Sequence, residues 1–137
     1  MLRRNQKVEL IRKAPLFAHL SKRELEQIAQ LADEIDLREG KEMTRQGSRG
    51  REFFVLLHGD ADVKKDGRKI NTLGAGDFFG EIALVSDSPR TATVTATSPV
   101  RALVITDRSF KRLMQDMPQI QAKVLAALAE RVAPQLV

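Results

Sequence analysis

Between Ile35 and Ile105 the chain never sustains an apolar pattern for more than a few residues at a time. Ile35 and Leu37, Met43, Phe53 to Leu57, Ala61 and Val63, Ile70 and Leu73, Val94, and Val100 to Ile105 fall in short continuous or alternating stretches. That is the pattern of strands, not helices. Turn signals separate them, namely Glu39-Gly40, Gly47 to Gly50, His58-Gly59-Asp60, Asp66-Gly67 and Gly74-Ala75-Gly76-Asp77. Asp66-Gly67 is the clearest, because a two-residue hairpin loop needs positive φ at both positions and Asp-Gly supplies it cheaply. Strands this short and evenly spaced favour a small antiparallel sandwich or barrel over an α/β sheet.

Helical periodicity is confined to the two ends. Val8, Leu10 and Ile11 predict a short amphipathic helix that stops near Pro15, since the residue before a proline avoids helical backbone. Ser21-Lys22-Arg23-Glu24 reads as a capping box that opens a second helix carrying Leu25, Ile28, Ala29 and Leu31 on one side. The pattern turns helical again at Asp107, the expected cap, with Phe110, Leu113, Met114 and Met117 following. Pro118 suits the first turn of a last helix. There Ile120, Val124, Leu125, Leu128 and Val132 form a stripe that either the chain's own barrel or a partner helix must cover.

With 137 residues, 42% of them hydrophobic and 30% charged, the chain fits one soluble domain. No apolar run is long enough to span a bilayer, and the start lacks the apolar region of a signal peptide, so a cytoplasmic location is expected. The absence of cysteine removes disulfides, thiol nucleophiles and thiolate metal sites, and His19 and His58 alone make a metal-dependent jelly-roll enzyme a poor expectation. No Ser-His-Asp set or pair of catalytic carboxylates stands out either, so no enzymatic activity is expected. Four of the five net positive charges lie in residues 1–13, through Arg3, Arg4, Lys7, Arg12 and Lys13 against Glu9. Such a run is either a solvated helix face or an arm for nucleic acid or an anionic surface.

The most informative stretch is Phe79-Gly80-Glu81-Ile82-Ala83-Leu84-Val85-Ser86-Asp87-Ser88-Pro89-Arg90-Thr91-Ala92-Thr93-Val94. A glycine lets the backbone approach a ligand, a carboxylate follows at once, and Ile82-Ala83-Leu84 form a short helical turn whose exposed amides favour an anion. Arg90 adds a planar, permanently charged fork that matches phosphate oxygens in pairs. Glu81 repels phosphate but suits a sugar hydroxyl. Together they ask for a ligand with one phosphate close to a free ribose hydroxyl.

The segment resembles the phosphate-binding cassette of the cyclic nucleotide-binding domain family, whose pattern is roughly Phe-Gly-Glu-(Leu/Ile)-Ala-Leu, a spacer, then Pro-Arg-(Ala/Ser/Thr)-Ala-(Thr/Ser)-Val. Leu16 to Ser21, the Gln46-Gly47 turn, Phe53 to Gly59 and Gly76 to Glu81 resemble other recurring stretches of that family, so the likeness spans roughly residues 8–133. The resemblance implies a mainly β fold with flanking α: a jelly-roll β-barrel (double-stranded β-helix) with N-terminal helices and C-terminal lid helices. It implies one cyclic nucleotide-binding domain over 1–137, with a helical segment at 1–33, the barrel at 34–106, the cassette at 79–94 and C-terminal helices at 107–137.

The same resemblance implies cyclic AMP or cyclic GMP as ligand, with no cofactor and no metal. Glu81 would accept from the ribose 2′-hydroxyl and Arg90 would pair the exocyclic phosphate oxygens. The amides of Ala83 and Thr91 would complete the phosphate shell, Gly80 would line the close approach, Ile82 would adjoin it, and Leu84, with Val85, would make the apolar contact between the cassette and the last helix. Thr91 either offers its hydroxyl to guanine or phosphate or is simply a β-former at a strand start. Arg131 either stacks on the purine as part of a lid or neutralises the helix C-terminus. The implied output is movement of the last helix, read by an effector domain or a second copy through that helix or the basic arm. The alternatives are a fragment of a catabolite-activator-like regulator, here lacking a helix-turn-helix reader, and a degenerate protein-interaction module.

Overall fold

The computed structural model describes residues 4–14, 17–80 and 89–132. Helices α1 (Arg4–Lys13) and α2 (Lys22–Leu31) precede β1 (Asp33–Leu37), β2 (Glu42–Thr44), β3 (Glu52–His58), β4 (Ala61–Lys65), β5 (Arg68–Leu73), β6 (Phe78–Phe79), β7 (Thr93–Ala96) and β8 (Val100–Thr106). Helices α3 (Asp107–Asp116) and α4 (Pro118–Val132) follow. The strands form two four-stranded sheets with orders β1-β8-β3-β6 and β2-β7-β4-β5, and every pairing is antiparallel. This interleaving of early and late strands is the jelly-roll arrangement expected from the sequence. The β4–β5 hairpin closes on Asp66 (φ 54°) and Gly67 (φ 80°), both left-handed as a two-residue loop requires.

Strand β3 explains how one sheet serves two cores. Its five central residues, Phe53 to Leu57, are all buried, and alternate side chains leave a strand on opposite faces. Phe53, Val55 and Leu57 join Ile11, Phe17, Leu25, Ile28, Phe110 and Leu113 beneath the helices. Phe54 and Leu56 join Ala61, Leu73, Val94 and Ala102 between the sheets. Short β6 repeats the division, with Phe78 packed on the helical core and Phe79 in the inter-sheet one. The Phe53 ring lies 4.5 Å from that of Phe110, and Phe54 stacks on Phe79 at 4.8 Å.

The helix ends follow local chemistry. Ser21 accepts from the Glu24 amide at 3.1 Å while its own amide donates to the Glu24 carboxylate at 2.9 Å, which is the expected capping box. That backbone donor holds the Glu24 carboxyl below its ordinary pKa. At α3 the expected cap, Asp107, gives way to Thr106. Thr106 has the extended backbone that a cap needs (φ −67°, ψ 161°) and accepts from the Ser109 amide at 3.3 Å. Asp107 is instead the first helical residue, where its charge favours the helix N-terminus and pairs with Arg51 at 3.2 Å.

The last helix docks on the chain's own body. Ile120 and Val124 are fully buried in the helical core, whereas Leu125 is 52% exposed, so the expected stripe narrows to its first half. The side chains of Leu128 and Val132 lie outside the described residues. Ile70 on the edge strand β5 is exposed as well. Among the described residues no helix is long and apolar enough to cross a membrane.

The basic N-terminal run is partly internal. Helix α1 buries Val8 and Ile11, and the Lys7 ammonium donates to the carbonyls of Ala29 and Ala32 at 2.7 and 2.6 Å. It thereby satisfies the C-terminal carbonyls of α2, where a cation is also favoured by the helix dipole. Arg12 makes an exposed pair with Glu9 at 3.7 Å. Lys7→Ala should therefore lower the unfolding free energy by about 1.5–3 kcal/mol, the usual scale for hydrogen bonds from a charged group. Arg12→Ala should leave it unchanged. Urea denaturation of both variants checks the difference, and negligible loss at Lys7 would return it to the solvated face.

Candidate functional site

The site is built where β6 ends. Asp77 accepts from the Gly74 amide through its carboxylate at 2.8 Å, and its carbonyl accepts from the Leu56 amide at 2.8 Å. The tight turn thus delivers Phe78 and Phe79 into register with Val55 and Phe54 of β3. The chain leaves β6 at Gly80 with φ 97°, a left-handed conformation that side chains disfavour. A Cβ at Gly80 would also lie 2.8 Å from the Glu52 carbonyl oxygen and 2.9 Å from Arg90 Nη1.

Arg90, which follows Pro89, is pinned through its backbone. Its amide donates to the Ser48 carbonyl at 2.9 Å, and its carbonyl accepts from the Gly47 amide at 2.9 Å. Just beyond, Thr44 Oγ1 donates to the Ala92 carbonyl and Thr93 Oγ1 accepts from the Gln46 amide. The β2–β3 loop and the strand leading into β7 are therefore stitched together on both sides of Arg90.

The Arg90 guanidinium turns inward and is only 5% exposed. Nη2 donates to the Glu52 carbonyl at 2.6 Å and Nη1 to the Gly80 carbonyl at 3.2 Å, with the half-exposed Glu52 carboxylate 3.6 Å from Nη2. Gly50 abuts the guanidinium directly, since a Cβ there would lie 1.9 Å from Nε. Burying a permanent cation costs several kcal/mol unless dipoles or anions surround it, and here the Glu52 and Gly80 carbonyls and the Glu52 carboxylate lie against it. A cleft of about 800 Å³ opens beside it, lined by cations, Arg38, Lys41 and Arg90 among them, and by the carboxylate residues Glu39, Glu42 and Glu52. That volume is in the range of small-molecule sites.

Of the residues singled out in the sequence, the structure brings Gly80 and Arg90 into direct contact and leaves Thr91 exposed beside them. Glu81, Ile82, Ala83 and Leu84 lie outside the described residues, as does the side chain of Arg131 on α4. Sequence reasoning missed Gly50 and Glu52. The only signals were a glycine-rich turn and an acidic residue heading an otherwise apolar strand. Among the described residues no group of three His, Cys, Asp or Glu side chains can hold a metal ion.

Residues 34–117 match the model of the family described as cyclic nucleotide-binding domain. The chain is 38% identical over 112 residues, 73% of its length, to the cAMP-dependent protein kinase regulatory subunit of Mycosarcoma maydis. It is 33% identical over 132 residues, 96% of its length, to the cGMP-dependent protein kinase of Toxoplasma gondii. It spans only 21% and 13% of those two proteins. A solved structure described as Sp-2Cl-cAMPS bound to PKAR CBD2 superposes with a TM-score of 0.83 at 25% identity, covering 98% of this chain and 92% of that one.

Two glycines separate conformational strain from crowding. Gly40 has φ 91° with nothing within 4 Å of a built Cβ, while Gly80 combines φ 97° with backbone 2.8 Å away. Gly40→Ala should cost about 1–2 kcal/mol, the price of the left-handed backbone alone. Gly80→Ala should cost clearly more. Chemical denaturation of the two variants measures the gap, and equal losses would mean that the Glu52 carbonyl is free to move aside.

Proposed function

The chain belongs to the cyclic nucleotide-binding domain family, and on that premise we propose that Arg90 is the phosphate ligand of a cyclic AMP or cyclic GMP site whose occupancy the C-terminal helix reports. The observation that carries this reading is the seat of Arg90. A permanent cation, 5% exposed, is oriented by two backbone carbonyls and backed by a glycine. Such a fork is held by fixed backbone groups, so little further ordering would be needed to bind phosphate.

The rest of the site follows residue by residue from the family pattern. Glu81 accepts from the ribose 2′-hydroxyl, the amides of Ala83 and Thr91 complete the phosphate shell, Gly80 permits the close approach, and Ile82 and Leu84 adjoin the ligand. Arg131 belongs to the lid over the base. No bond of the nucleotide is made or broken in this scheme. The domain is regulatory, and the output passes to an effector domain or a second copy. The base stays open between adenine and guanine, in keeping with relatives named for cAMP and for cGMP.

Isothermal titration with cyclic AMP and cyclic GMP, with 5′-AMP as control, tests the site. Saturable binding of a cyclic nucleotide is expected, with little affinity for 5′-AMP. Arg90→Ala should weaken it about thirtyfold or more, the equivalent of about 2–5 kcal/mol for a desolvated charge partner. Unchanged affinity in that variant would remove Arg90 from the phosphate. No binding of either nucleotide by the unaltered chain would favour an interaction module instead.

The lid is tested separately. A chain ending at Ala126 keeps the buried Ile120 and Val124 but lacks the distal part of α4. Stopped-flow displacement should show faster nucleotide release with nearly unchanged association, because a lid restrains escape more than entry. Equal release rates would exclude a lid role for the removed segment.

A further inference from the structure

We infer that Gly50 is a positioning residue for the nucleotide site: its missing side chain is the space in which the Arg90 guanidinium sits. This inference rests on the reading of Arg90 as the phosphate ligand. Glycines here fall into distinct kinds. Gly40, Gly47 and Gly67 have φ of 91°, 85° and 80° with nothing within 4 Å of a built Cβ, so the turn conformation alone explains them. Gly50 is the reverse case. Its φ lies outside the left-handed region, so left-handed strain does not explain the glycine, yet a Cβ would stand 1.9 Å from Arg90 Nε and 2.4 Å from both Cζ and Nη2.

One of the two partners must yield to an added methyl group, and the surroundings decide which. On one side of Gly50 the loop is held to the Arg90 backbone by the Ser48 carbonyl and the Gly47 amide, each at 2.9 Å. On the other side the Arg51 carbonyl accepts from the Asp107 amide at 2.7 Å, and the Arg51 guanidinium pairs with the Asp107 carboxylate. The backbone at position 50 is thus fastened from both directions, while the guanidinium is the far end of a flexible side chain. A methyl group at 50 expels the guanidinium from the carbonyls of Glu52 and Gly80. The fork then loses its orientation, although the fold and the charge both remain.

The test is a double-mutant cycle of Gly50→Ala, Arg90→Ala and the double variant, titrated with cyclic AMP and cyclic GMP, with urea unfolding in parallel. Gly50→Ala is expected to bind at least tenfold more weakly than the unaltered chain while retaining cooperative unfolding. In the Arg90→Ala background the same substitution is expected to change affinity less than twofold, since there is no guanidinium left to displace. A spectroscopic readout is independent of ligand. The Arg90 Nε–H resonance, identified by its loss in Arg90→Ala, is expected to shift in Gly50→Ala. Affinity within twofold of the unaltered chain in Gly50→Ala, with Arg90→Ala weakened, would overturn the role of Gly50 alone. An equal loss in both backgrounds would do the same. No binding by the unaltered chain, or normal binding by Arg90→Ala, would overturn the reading of the site and the role of Gly50 with it.

Discussion

Strand β3 is the constraint to which the rest of the structure answers. Five consecutive buried side chains require cover on both faces, and the fold supplies helices to one and a second sheet to the other. Once Phe53, Val55 and Leu57 are committed to the helices, Phe54 and Leu56 are committed to the sheet, because a slip of one residue would exchange the two sets. That register also fixes what lies just upstream. Glu52 must present its carbonyl at the sheet edge where β6 runs out, and Arg51 must present its own toward the start of α3. The placement of the Arg90 seat is therefore a consequence of core packing several residues away.

At the seat, electrostatics and sterics work together. A guanidinium removed from water loses hydration worth several kcal/mol, which carbonyl dipoles and a nearby carboxylate offset. Here the two carbonyls come from segments far apart in sequence, at Glu52 and Gly80, and neither is a side chain that could rotate away. These two contacts are with backbone, whose placement follows from the β3 and β6 pairing. Glycine at 50 and 80 supplies the room on two sides. On the proposed reading, a fork held in this way would bind phosphate with little further ordering cost.

Much of this was legible in the sequence, and the exceptions have physical reasons. Turn residues and short alternating stretches announced the sheets, and Asp66-Gly67 and Ser21 to Glu24 specified their local geometry because each acts on its own neighbours. Gly80 and Arg90 were visible as a pattern around position 79 to 94. Gly50 was read only as a turn glycine, since its importance depends on a side chain that reaches it from forty residues away. Lys7 looked like part of a basic arm for the same reason: its partners, Ala29 and Ala32, are backbone carbonyls that no composition reveals. At Thr106 and Asp107 both residue types can cap, and the strand backbone running up to Thr106 decided between them.

The helices at the two ends limit how occupancy of the site can be transmitted. The first half of α4 is anchored through Ile120 and Val124 in the helical core, by Gln119 on Glu24 and by Lys123 on the Ala18 carbonyl. Helix α3 is tied to the seat through Asp107 and Arg51, one residue from the carbonyl that holds Arg90. A ligand acts on an equilibrium only through differential affinity for its two states. Two motions satisfy these anchors. On the proposed reading, either the part of α4 beyond Val124 would move alone against a fixed core, or α3, α4 and the N-terminal helices would shift together on the outer face of the β3 sheet. In the second case the hinge would fall at the Arg51–Asp107 contact, where the helical layer meets the strand whose Glu52 carbonyl holds Arg90.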